Sequence, residues 1–140
     1  MSTATPTPPA NPKWMTWLGW VLTILPSLLL VFSAVMKFVG PPEVKDGFTK
    51  AGWNPNLLLP LGLTELACTI LYLVPQTSTL GAVLLTGYMG GAIAHHLRLG
   101  EPIAFQVAFG VVIWLGLFLR EPRLRAILPI RSPNATTTRP

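Results

Sequence analysis

The sequence predicts an all-α integral membrane protein, a four-helix bundle of up-down topology with a short interfacial helix in its first loop. Three observations lead to this fold class. Of 140 residues, 51% are hydrophobic and only 11% charged, with a mean hydropathy of +0.54, a balance foreign to the surface of a soluble domain this small. Apolar runs close to the ~20 residues that an α-helix needs to cross a bilayer core recur four times along the chain. The charges lie almost entirely between those runs and near the C-terminus, where basic residues meet lipid head groups.

Ten Lys and Arg against five Asp and Glu give a net charge of +5, which in a soluble protein would raise the question of nucleic acid. Here the basic residues flank apolar runs, so the lipid bilayer is the expected partner and nucleic acid is not. Cys68 is the single cysteine, which excludes an intrachain disulfide and a CxxC redox pair.

Residues 1–13, rich in Pro, Thr and Ala, read as a disordered lead. The uncharged run from Trp14 to Met36 is 23 residues long, longer than the apolar core of a signal peptide, and is expected to remain as the first span over 14–39. The loop Gly40 to Pro55 carries a short surface helix. Pro42 suits its first turn, Glu43 its N-terminus, and Val44, Phe48 and Ala51 share one face before Gly52 ends it and Trp53 takes an interfacial place. Asn54 and Pro55 offer an N-cap and first residue for the second span, 56–74, which Pro60 would kink or delay. Pro75 to Thr79 concentrates turn formers into a tight hairpin, and the third and fourth spans follow at 80–97 and 103–119. The whole transmembrane domain is expected over 14–131, with 132–140 a disordered tail whose sequon at Asn134 carries no meaning. An even number of spans puts both termini and the hairpin on one side, with Lys13, Arg120, Arg123, Arg125, Arg131 and Arg139. The other side holds Lys37, Lys45, Lys50 and Arg98. That bias places both termini in the cytoplasm, with 119–129 along the inner leaflet.

Glu65 is the only acid inside a span and stands at its middle, where an ionised carboxylate must be paired, protonated or wet. It reads as a proton or ligand site, as a structural ion pair or hydrogen-bond node, or as a neutral acid without special role. Connectivity alone puts Lys37, Glu65, His95 and Gln106 in the outward half of the bundle. With a rise of about 1.5 Å per residue, Lys37 and Glu65 sit at depths that two long side chains can bridge, although Lys37 can equally snorkel to the head groups. Gly87 and Gly91 form a GxxxG spacing in span three, and Gly90 with Ala94 forms a second small pair, so a neighbouring helix is expected to pack there. His95 continues the first line, while His96 is turned about 100° away, which disfavours a shared metal, and no metal or haem site is expected. Gln106, Gly110 and Trp114 recur at i+4 spacing in span four, as a packing stripe or as a lining of the same interior. No nucleophile and base can be paired and no phosphate loop occurs, so no catalytic set is expected.

Several segments carry a family likeness. They are Phe32-Ser33-Ala34-Val35-Met36-Lys37 closing span one, Leu61-Gly62-Leu63-Thr64-Glu65-Leu66 in span two, Pro75 in the hairpin, Leu80 through Ala92 in span three, and Trp114-Leu115-Gly116-Leu117-Phe118-Leu119-Arg120 closing span four. From about Trp17 to Arg131 the chain resembles the DoxX-like family of small bacterial membrane proteins. That resemblance implies a four-helix bundle in the bacterial inner membrane. Its wider group includes a small subunit of a thiosulfate to quinone oxidoreductase and subunits of oxidative-stress complexes, and it assigns no catalytic role to Lys37, Glu65 or the Gly-rich segment. The first expectation is an accessory or partner-binding subunit, of a quinone-linked redox complex or as a homo-oligomer, with quinone the one cofactor to consider. His95, Gln106 or Glu65 would then hydrogen-bond its carbonyl oxygens. The alternative is a proton-coupled small-molecule transporter working through Glu65, and a self-standing enzyme ranks last.

Overall fold

The computed structural model describes residues 10–128, and every regular element among them is helical. Helix α1 runs Lys13–Val39, α2 Pro42–Lys50, α3 Leu58–Leu73, α4 Ser78–Arg98, α5 Ala104–Arg120 and α6 Pro122–Ile127, with a 3-10 turn at Pro55–Leu57 leading into α3. Of the expected lead, residues 1–9 lie outside the described range, as do Arg131, Arg139, the sequon and the tail. Within the range, Lys13 already opens α1 and Asn11 donates to the Leu119 carbonyl at 3.0 Å.

Local chemistry sets the ends of these elements. Gly40 takes a left-handed conformation (φ +60°) and returns its N–H to the Met36 carbonyl, closing α1 as only a residue without Cβ does cheaply. Pro42 stands in the first turn of α2 with Glu43 beside it. Asn54 accepts from the Asn56 N–H, and the 3-10 turn then absorbs the start of the second long helix. Pro60 falls in the first turn of α3, where its missing N–H has no intrahelical partner to lose. Val74 is extended, as a residue before proline should be, and Thr77 Oγ1 donates to the Leu71 carbonyl to tie the hairpin.

The four long helices close a ring: α1 packs on α3 and α5, and α4 packs on the same two. Short connections and cross-contacts make neighbours antiparallel, so one end of the ring carries α2 and the other α6. The surface is inverted relative to a water-soluble bundle. Trp17, Phe32, Phe105 and Val111 are among many exposed large apolar side chains, while Thr23, Ser27, Glu65, Thr69 and Gln106 are buried. Thr23, Ser27 and Thr69 satisfy their hydroxyls on carbonyls one turn back. Two helical stretches, Lys13–Val39 and Pro55–Leu73, are long and apolar enough to cross a membrane, and Ala104–Arg120 is a shorter apolar helix.

The closest backbone approaches are made by glycines other than those the GxxxG spacing points to. A Cβ on Gly81 would collide with the backbone of Tyr72 across the hairpin. One on Gly116 would stand 3.0 Å from the backbone of Leu22, whose carbonyl has lost its helical donor because Pro26 occupies the fourth position beyond. At Gly87, Gly90 and Gly91 an added Cβ would meet nothing within 4 Å, and Ala94 is exposed, so no helix of this chain packs closely on those three glycines.

At the α6 end, Arg120 turns into the bundle. Its guanidinium lies 4.5 Å from the Trp20 ring centroid and 5.2 Å from that of Tyr72, and it donates to the Tyr72 carbonyl at 2.7 Å. Tyr72, fully buried, donates its hydroxyl to the Ile113 carbonyl at 2.7 Å. Of the basic residues expected along a membrane face, this one instead ties α5 to α1 and α3.

Candidate functional site

Lys37 leaves the last turn of α1, and Glu65 stands two turns into the antiparallel α3. The backbones come close because Gly62 faces Lys37 Cβ and the Phe38 ring without a side chain of its own. Lys37 Nζ is 2.9 Å from Glu65 Oε2 and donates to Ser33 Oγ at 2.7 Å, so two of its three N–H groups are used. The two side chains are 15% and 2% exposed respectively. Taking such charges out of water costs several kcal/mol per ion, which their mutual attraction and the Ser33 hydrogen bond offset in part. The Tyr88 ring of α4 stands beside the pair, its centroid 6.0 Å from the ammonium.

Lys37, Glu65, His95 and Gln106 all line one cavity of about 620 Å³ in the α2 half of the ring. Its roof is α2. Phe48, with 9% of its surface exposed, stacks on the His95 ring at 5.0 Å, and Val44 and Trp53 complete the cover. The apolar face foreseen for this helix thus turns into the bundle. Arg98 locks the roof, since its guanidinium covers the Trp53 ring at 4.3 Å and donates to the Ala51 carbonyl at 3.2 Å.

The polar lining is only partly satisfied. Four buried side-chain polar atoms lack a hydrogen-bond partner among the described residues, and three of them, Trp53 Nε1, His95 Nδ1 and Gln106 Oε1, belong to this cavity. An unpartnered buried polar group costs roughly 1–3 kcal/mol. Their gathering around one space, among Tyr88, Phe105 and Phe109, suits a flat molecule with hydrogen-bonding edges.

Other expected residues part company. His96 lines the cavity as well, but its Nδ1 is taken up by Glu101 at 2.5 Å. Gly87 and Gly91 line the cavity, whereas Gly90 lines a separate apolar groove with Gly110 and Trp114, whose indole donates to Thr86 Oγ1 at 2.8 Å. Gln106, Gly110 and Trp114 together line that groove, and of this i+4 stripe only Gln106 also reaches the cavity of Lys37 and Glu65. Among the described residues no group of three or more His, Cys, Asp or Glu can hold a metal ion. Sequence reasoning missed Tyr88 and Ser33. The latter carries a usable signal, lying four residues before Lys37 on the same helix face.

Residues 21–119, which contain Lys37, Glu65, His95 and Gln106, match the DoxX-like family. No curated protein and no solved structure matches the chain.

Proposed function

The chain belongs to the DoxX-like family, and from that premise we propose that it is a four-span protein of a bacterial cell membrane that binds a quinone-type ligand as an accessory subunit of a membrane redox complex. Helices of 27, 21 and 17 residues in α1, α4 and α5 extend about 40, 32 and 26 Å, close to or beyond the ~30 Å of a bilayer core. The 19 helical residues Pro55–Leu73 match that span too. The apolar outer surface supports this embedding, and the six basic residues that the sequence places on the side of the termini, against four on the other, support a cytoplasmic place for both termini.

One observation carries the ligand assignment: three residues with a buried, unpartnered polar atom, Trp53, His95 and Gln106, line a single aromatic-walled cavity together with the Lys37–Glu65 pair. A quinone ring presents two carbonyl acceptors at opposite edges. Trp53 Nε1–H, the Gln106 amide and a His95 ring N–H can donate to them, and Gln106 Oε1 or Glu65 can accept from the hydroxyls of the reduced form. The lack of any pairable nucleophile and base supports an accessory role over a self-standing reaction.

The test is purification of the full chain from its native membrane into nanodiscs, with mass spectrometry of co-purifying proteins and extracted lipids. A stoichiometric oxidoreductase with bound quinone is expected. Recovery of neither, together with no quenching of tryptophan fluorescence by added quinone, overturns the assignment. Glu65→Gln should weaken binding of the reduced, dihydroxy form of the ring by about tenfold, the loss of one charge-assisted hydrogen bond.

A further inference from the structure

The cavity reaches the flank of the bundle as well as its centre. Gly87 and Gly91 stand one turn apart on α4, both line the cavity, and both are exposed. A Cβ at either would meet nothing within 4 Å. The cavity is open on part of its boundary, and exposed lining residues with nothing packed over them mark where. The other exposed lining residues, Leu29, Leu57 and Phe105, carry large side chains, so the wall is barest at the two glycines.

The end of the bundle is closed where the flank is open. Phe48 and Ala51 are 9% and 4% exposed, and Arg98 ties Ala51 and Trp53 to the end of α4. The polar atoms lie within: Gln106, more than nine-tenths buried at 8% exposure, has its Oε1 unpartnered, and Glu65 and Lys37 share the same space. Polar groups inside with an apolar opening at the side match a molecule with a small hydrogen-bonding head and a hydrocarbon chain.

Resting on the membrane embedding and ligand class given above, we propose that Gly87 and Gly91 form a lateral opening to the bilayer. Through it the hydrocarbon chain of the ligand extends while its head meets Lys37, Glu65 and Gln106. The two glycines are then specificity determinants, because their missing side chains admit a chain-bearing molecule that larger residues would exclude.

The experiment uses the full chain in nanodiscs, with a decyl-substituted benzoquinone and the same ring without the chain as probes, followed by tryptophan quenching. The double substitution Gly87→Leu/Gly91→Leu should weaken binding of the decyl probe by about tenfold, the equivalent of a few methylene contacts, and leave the chainless ring unchanged. Gly90→Leu, one residue away in equally open space but outside this cavity, should change neither. Gln106→Leu, which removes an amide donor from the head site, should weaken both. Decyl binding that survives the double substitution overturns the lateral opening alone, whereas a wild-type protein that binds neither probe overturns the ligand assignment and the opening with it. If the double variant does not purify as a folded protein, Gly91→Cys blocked with a maleimide takes its place, with the same expected and contrary results.

Discussion

Removing either Lys37 or Glu65 alone strands its partner's charge in an apolar cavity, while removing both leaves a neutral one. Lys37→Met and Glu65→Gln should therefore each lower thermal stability in detergent, and the double variant should recover part of the loss. A coupling of about 1–3 kcal/mol is expected from the double-mutant cycle, and a value near zero would mean that the pair is solvated in the folded protein. Tyr72→Phe should cost about 1 kcal/mol, read from the same unfolding curves, because the buried Ile113 carbonyl loses its hydroxyl donor. The Lys37–Glu65 pair was accessible from sequence because each is a lone charge at the edge or middle of an apolar run and connectivity puts both on one side. The unpartnered state of His95 and Gln106 was not, since it depends on what stands opposite them.

Spacing of small residues along a helix tells which residues are small, and only the facing helix decides which are close. Gly81→Ala and Gly116→Ala should each destabilise the fold, the former strongly, because the added methyl meets backbone that cannot rotate aside. Gly87→Ala should be neutral or stabilising by up to about 1 kcal/mol, since a mid-helix glycine is replaced by a better helix former in open space. Melting temperatures of the three variants in one detergent check this, and a Gly87→Ala loss as large as that of Gly81→Ala would place a helix on α4 that the chain itself does not supply. The short α2 illustrates the same divide. Its Pro42 start, its Gly52 stop and the face shared by Val44, Phe48 and Ala51 are local features, whereas the docking of Phe48 on His95 joins residues 47 positions apart.

For the molecule as a whole, the proposed embedding and orientation predict a labelling pattern. In a Cys68→Ser background, an impermeant maleimide should label Lys45→Cys in intact cells and Gln76→Cys only after permeabilisation. The reverse pattern would invert the topology, and labelling of both in intact cells would deny that the intervening helix spans. By itself the amino-acid sequence determined the number of long helices, their limits to within about two residues and the side on which polar residues gather. These follow from hydropathy, from proline and glycine at the element ends, and from the alternation that short loops impose. Only the tertiary structure decided that Lys37, Glu65, His95 and Gln106 share one cavity, that α2 roofs it, that Gly87 and Gly91 stand at its side, and that Arg120 turns inward. Those outcomes depend on the rotation and tilt of each helix against its neighbours, set by close contacts such as Gly81 on Tyr72 and Gly116 on Leu22, which join residues with no local signature of one another.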